Sequence, residues 1–228
     1  PIEKMMGLFA GKHLPVRLQG TDGRIAEQPE FSFLNWFHRY LGSVSIPEAM
    51  ECEANPEFSA DNTPHLKDMA QVALNHLNND KGFFLMVESA SIDKQSHKRN
   101  PCGSIGEAEQ LFETVQLVLD FAKQNDDTLI LVTADHGQAA QIIPHASMYN
   151  VYGVPVATPG AIARIRTPEG SIMGINYATN EFNYEEHTGV NVPLFSNKNI
   201  KDQNGNDMIG GLIQQKDIFT ISKMYLGL

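Results

Sequence analysis

The sequence has no apolar run of the length that a membrane-spanning helix needs. Its longest runs, such as residues 128–134, fall far short of the roughly 18 to 20 residues that such a helix requires. It also begins at Pro1, without Met and without a basic leader followed by apolar residues. These absences predict a soluble chain, and its first residues are more typical of the middle of a protein than of its beginning.

Basic residues are also fewer than acidic residues. There are 17 Lys and Arg against 27 Asp and Glu, so the formal net charge is −10 at pH 7. Proteins that bind nucleic acid rely mainly on Lys and Arg to neutralise phosphates, so this balance disfavours nucleic acid as a partner. Hydrophobic residues make up 42% and charged residues 19%, which excludes the disordered and fibrous classes and leaves enough apolar side chains for a core.

Two apolar segments rich in β-forming residues, 82–88 and 128–134, predict buried strands. Between them, Ser104 and Glu107 fit a capping box, and apolar residues then recur at helical spacing as far as Ala122. A strand, a helix of about 20 residues and a second strand form a βαβ unit, in which the two strands are parallel and adjacent. The sequence therefore predicts an α/β fold.

The remaining segments predict shorter elements. Their apolar spacing and their Gly and Pro residues predict a helix at 66–77 with Pro64 in its first turn, strands at 171–177 and 192–195, and a helix at 215–226 ended by Gly227. Two ranges, 18–60 and 144–170, fit the sheet pattern poorly and are expected to be excursions from it. The first contains an aromatic segment, residues 31–41, that predicts a short docked helix.

Polar side chains that could perform chemistry follow both strands of the predicted βαβ unit. They are Glu88, Asp93, Lys94, His97, Asp135 and His136. Ligand sites of open parallel sheets lie just beyond the carboxyl ends of the strands, so these residues are expected at one edge of the sheet. Asp93 and His97 are four residues apart, and one helical turn or a compact loop would place both on one face.

A further histidine, His187, precedes the predicted strand at 192–195. Together, Asp93, His97 and His187 would give one centre three nitrogen and oxygen ligands with one position left open. That ligand count is typical of catalytic rather than structural zinc. The three residues therefore predict a zinc centre.

Asp135 and His136 would give a second centre two ligands, provided that the chain turns where the strand ends. The carboxylate of Glu88 would suit a largely hydrated Mg²⁺. Together with the first zinc centre, these residues predict a two-metal phosphoryl-transfer site with part of its ligand shell missing.

Each motif also has an ordinary structural explanation. A pair such as Asp93 and His97 can form a solvated helix face, and Asp135 with His136 can form a turn or an N-cap. Lys94 is either a solvated side chain or a cation that faces an anion bound by the metals. The other histidines lie outside the cluster and are interpreted as structural; they are His13, His38, His65, His76 and His145.

Four motifs, read in the same order, resemble those of alkaline phosphatases. They are Val87-Glu-Ser-Ala-Ser-Ile-Asp-Lys-Gln-Ser-His97, Asn100-Pro-Cys-Gly-Ser-Ile-Gly-Glu107, Thr133-Ala-Asp-His136 and Glu186-His-Thr-Gly189. The likeness covers most of residues 1–143 and 171–228. It implies part of a single domain over residues 1–228, a three-layer αβα sandwich around a mostly parallel sheet.

The resemblance also assigns functions to residues. Asp93, His97 and His187 are expected to bind the first of two zinc ions, Asp135 and His136 the second, and Glu88 a magnesium ion. Lys94 resembles the lysine that contacts phosphate through water in some bacterial members. The implied reaction is hydrolysis of phosphomonoesters to inorganic phosphate through a phosphoserine intermediate, without a membrane or nucleic-acid partner.

The family's nucleophilic serine and phosphate-binding arginine have no match in this sequence, which resembles roughly the C-terminal half of an alkaline phosphatase. The fragment alone is therefore expected to be inactive. The resemblance also implies a homodimer, for which residues 31–41 are a candidate interface, and a periplasmic or secreted location. Cys52 and Cys102 could be free thiols on composition alone, but the resemblance implies a disulfide, which persists in such compartments.

Two other functions compete with this interpretation. Another member of the same superfamily, such as a phosphodiesterase, mutase or sulfatase, would share the Asp-His and His-Thr motifs. A non-catalytic zinc-binding module would use the Asp93, His97 and His187 centre alone.

Overall fold

The computed structural model of the protein describes residues 4–38, 41–58, 63–143 and 160–228. The chain divides into two compact units. Unit 1 comprises Pro1–Pro64, Ser89–Gln110 and Gln138–Thr188. Unit 2 comprises His65–Glu88, Leu111–Gly137 and Gly189–Leu228.

The main sheet of unit 1 has three antiparallel strands, β6 (Gln141–Ile143), β7 (Ala161–Arg166) and β8 (Ile172–Tyr177). Their order in the sheet is β6–β8–β7. In the hairpin between β7 and β8, Gly170 takes a φ of 85°, which costs a glycine little. Strand β7 lies within the range 144–170 that was expected to leave the sheet; the part of that range at 144–159, with His145, lies outside the described residues.

The range 18–60 forms small ladders in unit 1. Strand β1 (Leu18–Gly20) pairs with β4 (Cys52–Ala54), and β2 (Glu30–Phe31) pairs with β3 (Val44–Ser45), both antiparallel. The aromatic segment contains the predicted short helix, α1 (Phe33–Phe37). Its aromatic rings contact one another, but they are largely exposed to solvent rather than docked.

The core of unit 1 joins these elements. Its buried residues are Ala26, Met50, Cys102, Ala139, Ala161, Ala163, Ile165, Ile175 and Tyr177. Cys102 is fully buried, and the expected disulfide between Cys52 and Cys102 is present. It connects β4 to the long helix α4 (Pro101–Gln124).

Helix α4 begins three residues before the predicted capping box. The side chain of Asn100 accepts a hydrogen bond from the backbone N–H of Gly103, and Pro101 occupies the first turn, where its missing N–H does no harm. Ser104 and Glu107 therefore lie inside the helix. Glu107 instead accepts hydrogen bonds from the backbone N–H of Arg17 and from Gln110.

Unit 2 contains the helices α2 (Leu66–Leu77) and α5 (Asp217–Tyr225) and the later part of α4. Helix α2 has the predicted bounds, although its N-cap is His65 and Pro64 lies outside it. Gly227 follows α5 with a φ of 71°, the left-handed conformation expected of a helix stop.

Among the described residues, no helix combines the length and the apolar character needed to cross a membrane.

The predicted parallel βαβ pairing does not form in the described part of the chain. Strand β5 (Leu131–Thr133) pairs antiparallel with β9 (Leu194–Ser196), and residues 82–88 form no strand. A strand needs a neighbour to satisfy its backbone, and the described residues offer none beside 82–88. Alternate side chains of this segment, Phe84 and Met86, are exposed.

Tyr177 predicts an alkaline limit to stability. Burial, aided by the nearby Glu185 carboxylate, raises the pKa of its phenol. The folded chain therefore retains this proton longer than the unfolded chain, so its stabilising effect is complete below about pH 10 and is lost as the pH rises further. We expect Tyr177→Phe to remove this loss in denaturant unfolding measured from neutral to alkaline pH.

At neutral pH the same substitution should leave the free energy of unfolding unchanged or raise it by about 1 kcal/mol. The reason is that the buried hydroxyl has no hydrogen-bond partner among the described residues. An alkaline stability loss that is equally steep in parent and variant would contradict the prediction.

The disulfide gives a second prediction. It closes a loop with a sequence separation of 50 residues, and in the chain-entropy model such a loop adds about 4 kcal/mol. We expect Cys52→Ser to lower the thermal midpoint under non-reducing conditions, with the Cys52→Ser/Cys102→Ser double variant as control for the unpaired thiol. Reductant should destabilise only the parent; equal midpoints for parent and variants would be evidence against this account.

Candidate metal centre

Helix α3 (Ala90–His97) places Asp93 and His97 on one face. Because they are four residues apart, their side chains lie one turn above each other. The Oδ1 atom of Asp93 is 3.3 Å from Nε2 of His97. The predicted proximity of this carboxylate and imidazole is confirmed.

His187 reaches the same point from the segment that follows β8. Its Nε2 atom lies 3.0 Å from Nε2 of His97 and 3.3 Å from Oδ1 of Asp93. The three donor atoms thus form a nearly equilateral triangle within unit 1. His97 is buried, whereas the His187 side chain is 46% exposed, so the triangle is open to solvent on the His187 side.

The ring of His97 is held from two directions. Its Nδ1 donates to the backbone carbonyl of Glu185, and Tyr184 stacks on its face with ring centroids 4.5 Å apart. Since a carbonyl oxygen can only accept, the proton of a neutral His97 resides on Nδ1. Its Nε2 then presents a lone pair to the triangle, as a metal ligand requires.

Asp93 is anchored on both carboxylate oxygens. Gln138 donates to Oδ1, and Nζ of Lys94 lies 3.3 Å from Oδ2. Burial raises the pKa of this carboxyl, but the hydrogen bonds from Gln138 and Lys94 and the charge of Lys94 outweigh burial and hold the pKa below its ordinary value. Asp93 is therefore ionised near neutral pH and offers lone pairs to a cation.

The other predicted site residues belong to unit 2. Asp135 and His136 follow β5, with Oδ2 of Asp135 3.4 Å from Nε2 of His136, and Glu88 is exposed. Within the described ranges, Asp93, His97 and His187 are the one group of at least three His, Cys, Asp or Glu residues that could hold a metal ion. Ligation by Asp135, His136 and Glu88 stays a prediction.

Several residues around the triangle were not predicted from the sequence. Gln138, Tyr184, Glu185 and Arg99 contact Asp93, His97 or each other. All four lie within three residues of a predicted ligand in the sequence, which is the one available indication. That nearness does not identify their partners, because the contacts of Arg99 and Tyr184 join segments far apart in sequence.

Comparison with known proteins identifies the family. The family model for alkaline phosphatase matches residues 1–201. Alkaline phosphatase H of Pseudomonas aeruginosa is 37% identical over 227 residues, which are 99% of this chain and 41% of that protein. An Escherichia coli alkaline phosphatase is 36% identical over 225 residues, which are 98% of this chain and 41% of that protein.

Two further relatives extend the comparison. Streptomycin-6-phosphate phosphatase of Streptomyces griseus is 31% identical, covering 89% of this chain and 41% of that protein. A solved structure of a TAB5 alkaline phosphatase mutant with Mg bound in its M3 site superposes with a TM-score of 0.51 at 20% identity. It covers 77% of this chain and 45% of the solved chain, and the likeness supports an alkaline phosphatase-like α/β fold.

The chain thus spans less than half the length of the curated relatives named above. The match to the family model nevertheless extends over most of its residues and includes the Asp93, His97 and His187 triangle. On this match, the chain belongs to the alkaline phosphatase family.

Proposed function

We propose that this chain provides the first zinc site of a metal-dependent phosphomonoester hydrolase. The observation that supports it most directly is the donor triangle, whose edges are 3.0, 3.3 and 3.3 Å. Tetrahedral zinc with bonds of about 2.0–2.1 Å has ligands separated by about 3.3–3.4 Å. Asp93, His97 and His187 therefore fit three corners of a zinc tetrahedron with little movement.

The donor set suits a catalytic role. Three protein ligands leave one coordination position for water or substrate, and bound zinc lowers the pKa of its water to about 7 and so supplies hydroxide near neutral pH. Asp93 contributes an oxygen that is ionised near neutral pH, and His97 contributes a preoriented nitrogen. Lys94, half-exposed beside Asp93, would direct its ammonium toward a phosphate anion.

The rest of the reaction site would be completed by residues from the part of the relatives' length that these 228 residues do not match. Asp135 and His136 would contribute to a second zinc site and Glu88 to a magnesium site, as the resemblance implies. The nucleophilic serine that forms the phosphoserine intermediate would lie in the remaining part of the relatives' length. We therefore propose that these 228 residues bind zinc but do not hydrolyse phosphomonoesters alone.

The complete fold would be the three-layer αβα sandwich of the family. In unit 2, segment 82–88 pairs with no strand among the described residues and exposes Phe84 and Met86. This supports the proposal, because a central strand needs a neighbour and a covered face. The exposed aromatic side chains of α1 are the candidate for a homodimer contact. The Cys52–Cys102 disulfide supports a periplasmic or secreted location.

Removal of one proposed ligand should weaken zinc binding by the 228-residue chain. Loss of a group that merely supports a ligand costs about 10- to 100-fold in metal affinity, so we expect His187→Ala to cost at least about 100-fold. Competition against a chromophoric chelator would measure it. His76→Ala on α2 is the matched control and should bind like the parent; equal affinity for both variants would refute the assignment.

Hydrolysis of p-nitrophenyl phosphate tests whether the 228-residue chain is inactive alone. We expect the zinc- and magnesium-loaded chain to release no p-nitrophenol above the rate of the His187→Ala variant. The physical reason is that the nucleophilic serine is proposed to lie outside these 228 residues, so that no group would attack the phosphate. Robust turnover by the parent that disappears in His187→Ala would show that the chain contains a complete catalytic site.

A further inference from the structure

Glu185 is a fully buried carboxylate two residues before His187. Arg99 donates through Nε to its Oε1 at 2.9 Å, and Thr179 donates through its hydroxyl to Oε2. The Arg99 side chain is only 12% exposed, so this ion pair is largely shielded from water. Both carboxylate oxygens of Glu185 are thus satisfied by groups on different segments of unit 1.

The backbone of the same residue holds His97. The N–H of Glu185 donates to the carbonyl of His97 at 3.0 Å, while its own carbonyl accepts from Nδ1 of the His97 ring. These two hydrogen bonds fix the segment before His187 against the last residue of α3. A movement of Glu185 would therefore move the acceptor that sets both the tautomer and the orientation of His97.

Arg99 occupies a position where the backbone favours glycine. It follows the end of α3 with a φ of 58°, a left-handed conformation that is unfavourable for a residue with a side chain. Its guanidinium bonds both the Glu185 carboxylate and the backbone carbonyl of Phe182. The side chain thus provides contacts across the 182–185 segment that glycine could not.

We propose that Arg99, Glu185 and Thr179 are positioning residues for the metal centre. Through the Glu185 carbonyl they keep the proton on Nδ1 of His97 and aim its Nε2 at Asp93 and His187. This inference rests on the proposed zinc site. A buried ion pair often adds little net stability, because desolvation offsets the attraction, whereas its geometry can specify one arrangement of the segments that it joins.

The experiment compares Arg99→Ala, Arg99→Lys and Thr179→Val with the parent 228-residue chain. Zinc affinity is measured by chelator competition, and the His97 tautomer is read from imidazole ¹⁵N shifts in the metal-free chain. Unfolding in EDTA reports stability separately. Arg166→Ala, which removes an ion pair with Glu51 elsewhere in unit 1, is the matched control.

We expect Arg99→Ala to weaken zinc binding by about 10- to 100-fold, the usual cost of losing a group that supports a ligand. His97 should shift from the Nδ1–H tautomer toward a mixture, and Arg99→Lys should restore part of both. Arg166→Ala should change neither. If Arg99→Ala does not fold, Thr179→Val, which removes one hydroxyl, should show the same changes at smaller size.

Two negative results can be told apart. Variants that lose stability in EDTA but keep the parent's zinc affinity and His97 tautomer would overturn the positioning role and leave the zinc site standing. A parent chain that binds no zinc would overturn both proposals.

Discussion

The candidate metal centre depends on one connection between distant parts of the chain, the pair of hydrogen bonds between His97 and Glu185. The Nδ1 of His97 donates to the Glu185 carbonyl, and the N–H of Glu185 donates to the His97 carbonyl. Without it, α3 would present Asp93 and His97 alone, and a two-ligand pair is a weak metal site. With it, His187 arrives 3.0 Å from His97, although the two are 90 residues apart. Several other contacts of unit 1 hold the two ends of this connection in place.

That support comes from both sides. Asn100 caps α4 immediately after α3, and the buried Cys102 ties the start of α4 to β4. On the other side, β8 ends at Tyr177 in the core, with Thr179 close behind it, and the hydroxyl of Thr179 donates to the Glu185 carboxylate. The proposed metal ligands therefore lie next to buried and cross-linked backbone of unit 1, which is where a site of fixed geometry is expected.

Local chemistry made part of this predictable. The four-residue spacing of Asp93 and His97 predicted that their side chains lie close together. The recurrence of apolar residues at helical spacing predicted α2 with its observed bounds. The start of α4 was misplaced because Asn100 and Pro101 outcompete a capping box at Ser104. The predicted parallel pairing is absent from the described residues, and the pairing of β5 with β9 was not predicted, because strand partners are decided between segments far apart in sequence. For the same reason nothing in the sequence pointed to the Arg99–Glu185 pair.

Anomalous diffraction at the zinc edge from crystals of the zinc-loaded chain would locate the ion that we propose Asp93, His97 and His187 bind. We expect a peak about 2.0–2.2 Å from Oδ1 of Asp93 and from Nε2 of both histidines. A strongest peak elsewhere, or one that contacts only a single one of these three residues, would contradict it.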